Sequence, residues 1–539
     1  MRKSEKWIKG IVLVFYAILS VLLAFVIGVS IANPLNNLFG WQMAIGSVLL
    51  AGVFIVFMHF KDRIPKIPMA VYIAFLALFG IVLLVLCLLH GNWYHIAGDY
   101  EVVYLSAIDI AEGRDVSFPF YFETYGNNTV PMLLLAGILK IARVLHINEF
   151  YLLLVCSIGL VLVAAWAAGE VLSWGAGLLK DTKRSVNLRL YAAVVIAACL
   201  PIYVFSSTFY TDTMTFGIGI IVMALFLRAF HSKKGGIVFA ILAAALAVWG
   251  INWKITSIIP LIAVAILGYV ILLIRPRRAD VSDRDSEQKE NVSEEKLSTS
   301  GNEKKKNLRI AIITMVAFLL LYFALSVIVS GFTVYQRSKE KANPLTAWIA
   351  MGMMNDGTYA ENVEFSDTIN ALESKEAKSE YAKAQIKEHL GEALSFSHIV
   401  KKVRKNYASG TFSANDYTAP DAHGSIMYNL LNPGGAHYWR ACQYCFVYIF
   451  AVYLVMLYSN ICAMIKFFKK KDARLFEVFP ITKLLADISF FGLFVFLMLW
   501  EANNRQLYNA LPVLIVGLFS YFSMPKLSVK EDVEKEVSL

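Results

Sequence analysis

The chain has 539 residues, of which 58% are hydrophobic and 17% charged, and its mean hydropathy is +0.59. That composition lies well outside the range of soluble globular domains and points to an integral membrane protein. The net charge of +10 does not argue for a nucleic-acid partner, because the basic residues gather between apolar runs as they do in cytoplasmic loops of membrane proteins.

Crossing about 30 Å of hydrocarbon takes about 20 apolar residues in a helix. The first such run, 8–31, follows Arg2, Lys3, Lys6 and Lys9; it is long and lacks a small-residue cleavage site, so it reads as an uncleaved first helix. Runs at 41–60 and 69–90 follow, and then a polar, aromatic and acidic segment from Asn92 to Asn128, containing His95 and Asp99. The short stretch Val130–Leu145 carries Lys140 and Arg143 and reads as a re-entrant or interfacial helix. Further runs lie at 150–177, 189–206, 212–230, 235–253 and 256–274, completing an N-terminal membrane module over 1–274. Residues 275–308 are rich in Ser, Glu, Lys, Asp and Asn and read as a disordered cytoplasmic linker. A C-terminal module over 309–526 holds runs at 309–331, 441–465, 481–500 and 507–523, with a large polar loop at 332–440 and a tail at 527–539.

Basic connectors occur at Lys61–Lys66, Lys180–Arg189, His231–Lys234, Arg275–Arg278 and Lys466–Arg474. With about twelve crossings and the N-terminus inside, all of them fall on the cytoplasmic side. The expected fold is therefore an all-α polytopic bundle of about twelve helices in the plasma membrane, with both termini cytoplasmic. Its external loops are 92–149, with interfacial helices, and 332–440. Within the later loop, Ser374–Leu390 has good helix formers and i,i+4 charge pairs, and Asn355-Asp356-Gly357 signals a turn.

Cys87, Cys156, Cys199 and Cys462 sit in apolar runs and read as packing residues, and Cys442 and Cys445 lack the partners of a zinc site. No Walker A sequence, zinc motif or serine nucleophile elbow is present, so ATP-driven transport and metallo- or serine proteolysis lack their signatures. The topology puts four ionisable residues at the outer membrane edge: Asp212, Lys254, Glu501 and Arg505. Such residues either serve function or merely snorkel to water. Asp99, between Gly98 and Tyr100, suggests a built turn, whereas Glu101, Asp109 and Glu112 read as solvated faces of a surface helix.

Three segments then carry a resemblance. Asp99, Ala107, Gly113, Tyr121, Tyr125 and Asn127 form the first, Tyr210-Thr211-Asp212 the second, and Glu501-Ala-Asn-Asn-Arg505 through Pro512 the third. In this order the chain resembles GT-C fold integral-membrane glycosyltransferases of the protein-mannosyltransferase type. The resemblance implies an inverting enzyme with a polyprenyl-phosphate-linked sugar as donor and a glycan, polymer or protein as acceptor at the outer membrane surface. It implies Asp99 as general base, Arg505 and Lys254 as cations for the donor phosphate, and Tyr100, Tyr104, Tyr125, Asn127, Asp212 and Glu501 as substrate-binding residues. The residue after Asp99 is Tyr100 instead of a second acid, so an adjacent carboxylate pair for a divalent metal is missing, although Glu101 follows at two positions. No cofactor is called for, with a divalent metal the one open option. The alternative reading is a polytopic transporter or lipid-linked-sugar flippase, against which stands the collection of polar residues at one membrane face rather than at mid-depth. An O-antigen-type polymerase or ligase would ask for more external arginines than Arg337, Arg404 and Arg440.

Overall fold

A computed structural model of the protein describes residues 3–32, 40–60, 65–89, 98–176, 182–232, 235–273, 290–408, 426–431, 434–470 and 475–523. Asn92–Ala97 with His95, the basic residues Lys61–Arg63, Lys180, Lys233–Lys234 and Lys471–Arg474, linker positions 275–289 and the tail 527–539 lie outside them.

The described residues are helical, with no strand among them. The N-terminal module contains α1 (Lys3–Ala32), α2 (Gly40–Phe60), α3 (Met69–Leu89), α4 (Gly98–Glu112), α5 (Pro119–Thr124), α6 (Thr129–Val144), α7 (Glu149–Gly175), α8 (Thr182–Ala197), α9 (Leu200–Phe205), α10 (Ile218–His231), α11 (Gly236–Trp253) and α12 (Ile258–Leu273). The C-terminal module contains α13 (Glu290–Ser330), α14 (Thr333–Lys341), α15 (Leu345–Met353), α16 (Val363–Ala371), α17 (Lys375–Ala393), α18 (Phe396–Tyr407), α19 (Ile426–Leu431), α20 (Tyr438–Lys469), α21 (Leu475–Val478), α22 (Ile481–Leu499) and α23 (Leu511–Ser523).

Nine helices among the described residues are long and apolar enough to cross a membrane, so the chain is a polytopic all-α membrane protein. Three further apolar runs hold the shorter helices α8, α12 and α23. One of these, 189–206, divides ahead of Pro201: proline lacks an amide hydrogen and its ring would clash with the carbonyl four residues back, so α8 stops at Ala197, Cys199 turns extended, and α9 restarts with Pro201 in its first turn. Helix α13 begins at Glu290 and reaches back into the stretch read as linker.

Local chemistry sets several other boundaries. Asn148 caps α7, its side chain accepting from the amides of Phe150 and Tyr151 at 3.0 and 3.4 Å. Ser374 does the same for α17 through the Ala377 amide, and the Asn355–Gly357 turn has both its ends at positive φ, 51° and 80°. Helix α7 packs closely because its mid-section is Ala164, Ala165, Ala167, Ala168 and Gly169, all fully buried or glycine. A Cβ on Gly169 would come within 2.9 Å of the Arg189 backbone in α8.

Connectors sort to two ends of the bundle. At one end Asn187 bridges the residues before α3, accepting from the Ile67 amide at 2.9 Å and donating to the Pro65 carbonyl at 3.2 Å. Lys306 there donates to the carbonyls of Phe230 and Ser232, both at 2.9 Å. At the other end lie the start of α4, the segment between α9 and α10, the end of α11, the loop carrying α14–α19, and the residues after α22. Bonds between these segments show it: Asn343 N–H to Thr124 O at 2.8 Å, Asn370 Nδ2 to Tyr125 OH at 3.3 Å, and Asn503 N–H to Asn406 Oδ1 at 2.9 Å.

Candidate functional site

The site is assembled at this second end. Helix α4 starts with Gly98 at φ 59°, a conformation that glycine adopts without strain, and the turn delivers Asp99 half-buried in the first helical turn. Asp99 Oδ1 accepts from the Tyr121 hydroxyl at 2.7 Å. Tyr121 in turn accepts from Asn128 Nδ2 at 2.6 Å, and Asn128 Oδ1 accepts from Tyr210 OH at 3.0 Å. Tyr210 belongs to the second polar segment, so the first two segments are joined directly.

Asp212, two residues on, is 2% exposed. One of its oxygens is ion-paired with Lys254 and the other lies 3.5 Å from Arg505 Nη1. Asn503 Oδ1 accepts from both the amide and the Nε of Arg505, at 3.1 and 3.2 Å, which orients the guanidinium. The third polar segment thus meets the second. Loss of hydration lowers the Lys254 ammonium below the ordinary lysine range, against the opposing pull of Asp212.

Glu501 follows Trp500 at the end of α22. Desolvation pushes its carboxyl up to about 7, with the Asp99 charge acting in the same direction and Arg505, Lys402 and Lys254 acting against it. The electrostatic coupling brings Asp99, Glu501, Arg505 and Lys254 into one neighbourhood, together with a residue that sequence reasoning missed. Lys402 of α18 is fully buried, and its ammonium donates to the Trp500 carbonyl. Burial lowers it to about 8, while Glu501 and Asp356 pull the other way. It fits there because Gly357 leaves room: a Cβ at that position would come within 2.7 Å of Lys402 Nζ. A signal for it exists in the sequence. His398, Lys402 and Asn406 recur at i,i+4 on the apolar face of α18, where polar groups have no reason to sit unless they have partners.

The other expected residues are placed as follows. Tyr100 is 3% exposed and packs against Tyr104 and Tyr210 with ring centroids 5.7 and 6.4 Å apart, so its ring forms wall and has no face open to a sugar. Tyr104 is half-buried beside it, and Asn127 is exposed with its amide donating to Asn128 Oδ1 at 3.3 Å. Tyr125 is half-buried, 5.0 Å from Tyr121 and 6.2 Å from Trp348, and burial pushes its hydroxyl up to about 12. Trp348 continues to Trp500 at 6.3 Å, a run of half-buried rings from the partner of Asp99 to the neighbour of Glu501.

Asp109 differs from the solvated role expected of it. It is 6% exposed, and its carboxylate takes Arg114 at 2.9 Å and the Ser117 amide at 2.9 Å, tying the end of α4 to the start of α5. These bonds, above all those from Ser117 and Arg114, hold it below the usual carboxylate range despite its burial.

Chemically, Lys254, Arg505 and Lys402 stand with the three carboxylates Asp99, Asp212 and Glu501, and two of the cations, Lys254 and Arg505, share the single carboxylate of Asp212. Two cations held on one buried carboxylate suit an anionic ligand. Among the described residues no cluster of three or more His, Cys, Asp or Glu is arranged to hold a metal ion.

Neither a curated protein nor a solved structure matches the chain. A family model described as "conserved hypothetical integral membrane protein" matches residues 2–523, nearly the whole length, and the chain belongs to that family.

Proposed function

We propose that the protein is a membrane glycosyltransferase that moves a sugar from a polyprenyl-phosphate donor to an acceptor glycan, polymer or protein at the membrane surface. The observation that supports this most is the convergence of three polar segments, around Asp99, Asp212 and Glu501–Arg505, on one carboxylate faced by buried cations. The donor's tail sits in membrane lipid and its phosphate approaches Arg505 and Lys254, with Lys402 behind them. The acceptor hydroxyl attacks the anomeric carbon while Asp99 takes its proton. The bond from the anomeric carbon to the phosphate oxygen breaks, and the departing polyprenyl phosphate keeps the electron pair. Its growing negative charge is stabilised by cations already fixed in place, which need no reorganisation. One displacement inverts the anomeric centre and leaves no covalent intermediate. The half-buried rings of Tyr125, Trp348 and Trp500 suit the apolar faces of pyranose rings.

The test is purified protein in lipid nanodiscs, offered a panel of radiolabelled polyprenyl-phosphate sugars together with envelope polymers or peptides as acceptors. Transfer that disappears in Asp99→Asn supports the reading. Absence of transfer from every donor, with movement of donor lipid across vesicles instead, overturns it in favour of a flippase.

A further inference from the structure

The chain of hydrogen bonds behind Asp99 has a direction, and the direction has a chemical consequence. At its far end the Tyr210 hydroxyl donates to Asn128 Oδ1 at 3.0 Å, and Asn127 Nδ2 donates to the same oxygen at 3.3 Å. In this orientation the Asn128 carbonyl takes both donors, and Nδ2 faces Tyr121 at 2.6 Å. The tyrosine oxygen accepts there, so its single proton points to Asp99 Oδ1 at 2.7 Å. In the opposite flip the Tyr121 proton would turn to Asn128, and two oxygens would face each other across the Asp99 contact without a hydrogen between them. An ionised Asp99 therefore selects the observed polarity. Asn128 is 3% exposed and Tyr210 5%, so water does not compete for these groups as it would at the surface.

We infer that Tyr210, Asn128 and Tyr121 form a positioning relay that reserves Oδ1 of Asp99 as an acceptor and leaves Oδ2 as the atom that takes the proton from the acceptor hydroxyl. This deepens the glycosyltransferase reading and rests on it. In the transfer step the hydroxyl oxygen bonds to the anomeric carbon, its proton moves to Asp99 Oδ2, and the polyprenyl phosphate leaves with the electrons of the broken bond. Oδ1 changes no bond: it accepts the Tyr121 hydrogen bond throughout, which holds the carboxylate plane and stops Asp99 from rotating. Tyr121, Asn128 and Tyr210 touch no reacting atom, so their effect passes through Asp99 alone. The relay also explains why the first two polar segments are tied to each other as well as to substrate: Tyr210 stands two residues before Asp212, so orientation of the base is coupled to the segment that fixes the phosphate-binding cations.

The experiment is steady-state transfer by the full-length protein in nanodiscs, with thermal unfolding measured alongside. Tyr121→Phe is expected to lower kcat about 100-fold, the order lost on slight misplacement of a reacting group, with KM unchanged. Tyr210→Phe, which breaks the chain at its far end without touching Asp99, should give a smaller loss of the same kind. The decisive measurement is a double-mutant cycle: in an Asp99→Asn background, Tyr121→Phe should have no further effect on the residual rate. Independent, multiplying losses would overturn the relay, as would a wild-type kcat in Tyr121→Phe. If Tyr121→Phe fails to fold, Tyr210→Phe in the same cycle decides the matter. Inactivity of the wild-type protein with every donor is a separate outcome, which removes the transferase reading itself.

Discussion

The two ends of the helical bundle both bury charge, and they do so differently. At the end that holds Asn187 and Lys306, Glu170 of α7 takes Arg189 at 2.9 Å and Arg228 at 3.0 Å, and Lys483 of α22 takes Asp487 at 2.8 Å and the Asn460 side chain. By helical rise, Glu170 lies about 30 Å along α7 from Glu149, and the Lys483–Asp487 pair lies about 20 Å before the end of α22 that leads to Glu501. They are self-sufficient: the Lys483 and Asp487 side chains are fully buried and cancel each other, and Arg228, the surplus cation beside Glu170, keeps 44% of its side chain exposed. At the site end two cations share one buried carboxylate, Asp212, and neither is as exposed as Arg228. Arg505, Lys254 and Lys402 are 15%, 10% and 0% exposed, and Glu501 has its carboxyl raised well above the carboxylate range. Charges that balance inside the protein hold helices together. Cations that share one carboxylate and are kept largely out of water are what a site for an anionic ligand requires.

The sharpest break between the two ends comes from removing one carboxylate at each. Asp99→Asn should lower sugar transfer by about a thousandfold, the order expected for loss of a general base, and leave the thermal midpoint where it is. Glu170→Gln should do the reverse, destabilising by about 3 kcal/mol because two guanidiniums lose their partner, with kcat per folded molecule intact. A stability loss in the first or a specific rate loss in the second would erase the distinction. Arg505→Ala is expected to cost about 100-fold in transfer, roughly 3 kcal/mol of transition-state stabilisation, read as a fall in kcat.

A pH titration sharpens the comparison further. The Glu501 carboxyl stands near 7 in the folded protein against an ordinary 4.5. The folded state therefore binds its proton more tightly than the unfolded state does. Its contribution to stability is fully present below pH 4.5 and is lost as pH rises through 7. Unfolding of the wild type should show that loss between these values, and Glu501→Gln should flatten it; an unchanged slope would mean that Glu501 is hydrated. Smallest of all, Trp348→Ala should raise KM for the acceptor a few-fold, by about 1 kcal/mol, if its ring carries a sugar face.

Much of the architecture is legible in residue type and spacing. The apolar runs appear as helices, α17 begins at its Ser374 cap, and the turn at Asn355–Gly357 forms. These are local matters: helix propensity, capping and the length needed to cross hydrocarbon all act within a few turns of chain. Residue roles that depend on a distant partner were not legible. Asp109 reads as solvent-facing from its place on a short polar helix, yet Arg114 and Ser117 fold back over it. Tyr100 reads as a ligand for sugar, yet Tyr104 and Tyr210 close over its ring. Lys402 hides among three other cations in α18, and it alone is buried beneath Trp500, a residue 98 positions away.

The candidate site divides along the same line. Composition and the order of the polar segments are enough to name Asp99, Asp212, Lys254, Glu501 and Arg505, because charged residues at the edges of long apolar runs are few and conspicuous. That Tyr210 reaches Asn128, that Lys254 and Arg505 share Asp212, and that Lys402 stands behind Glu501 is decided by how the helices pack. Contacts between residues 42 to 250 or more apart in sequence carry no local signal, and in a low-dielectric interior those contacts, more than the side chains themselves, set what each charge can do.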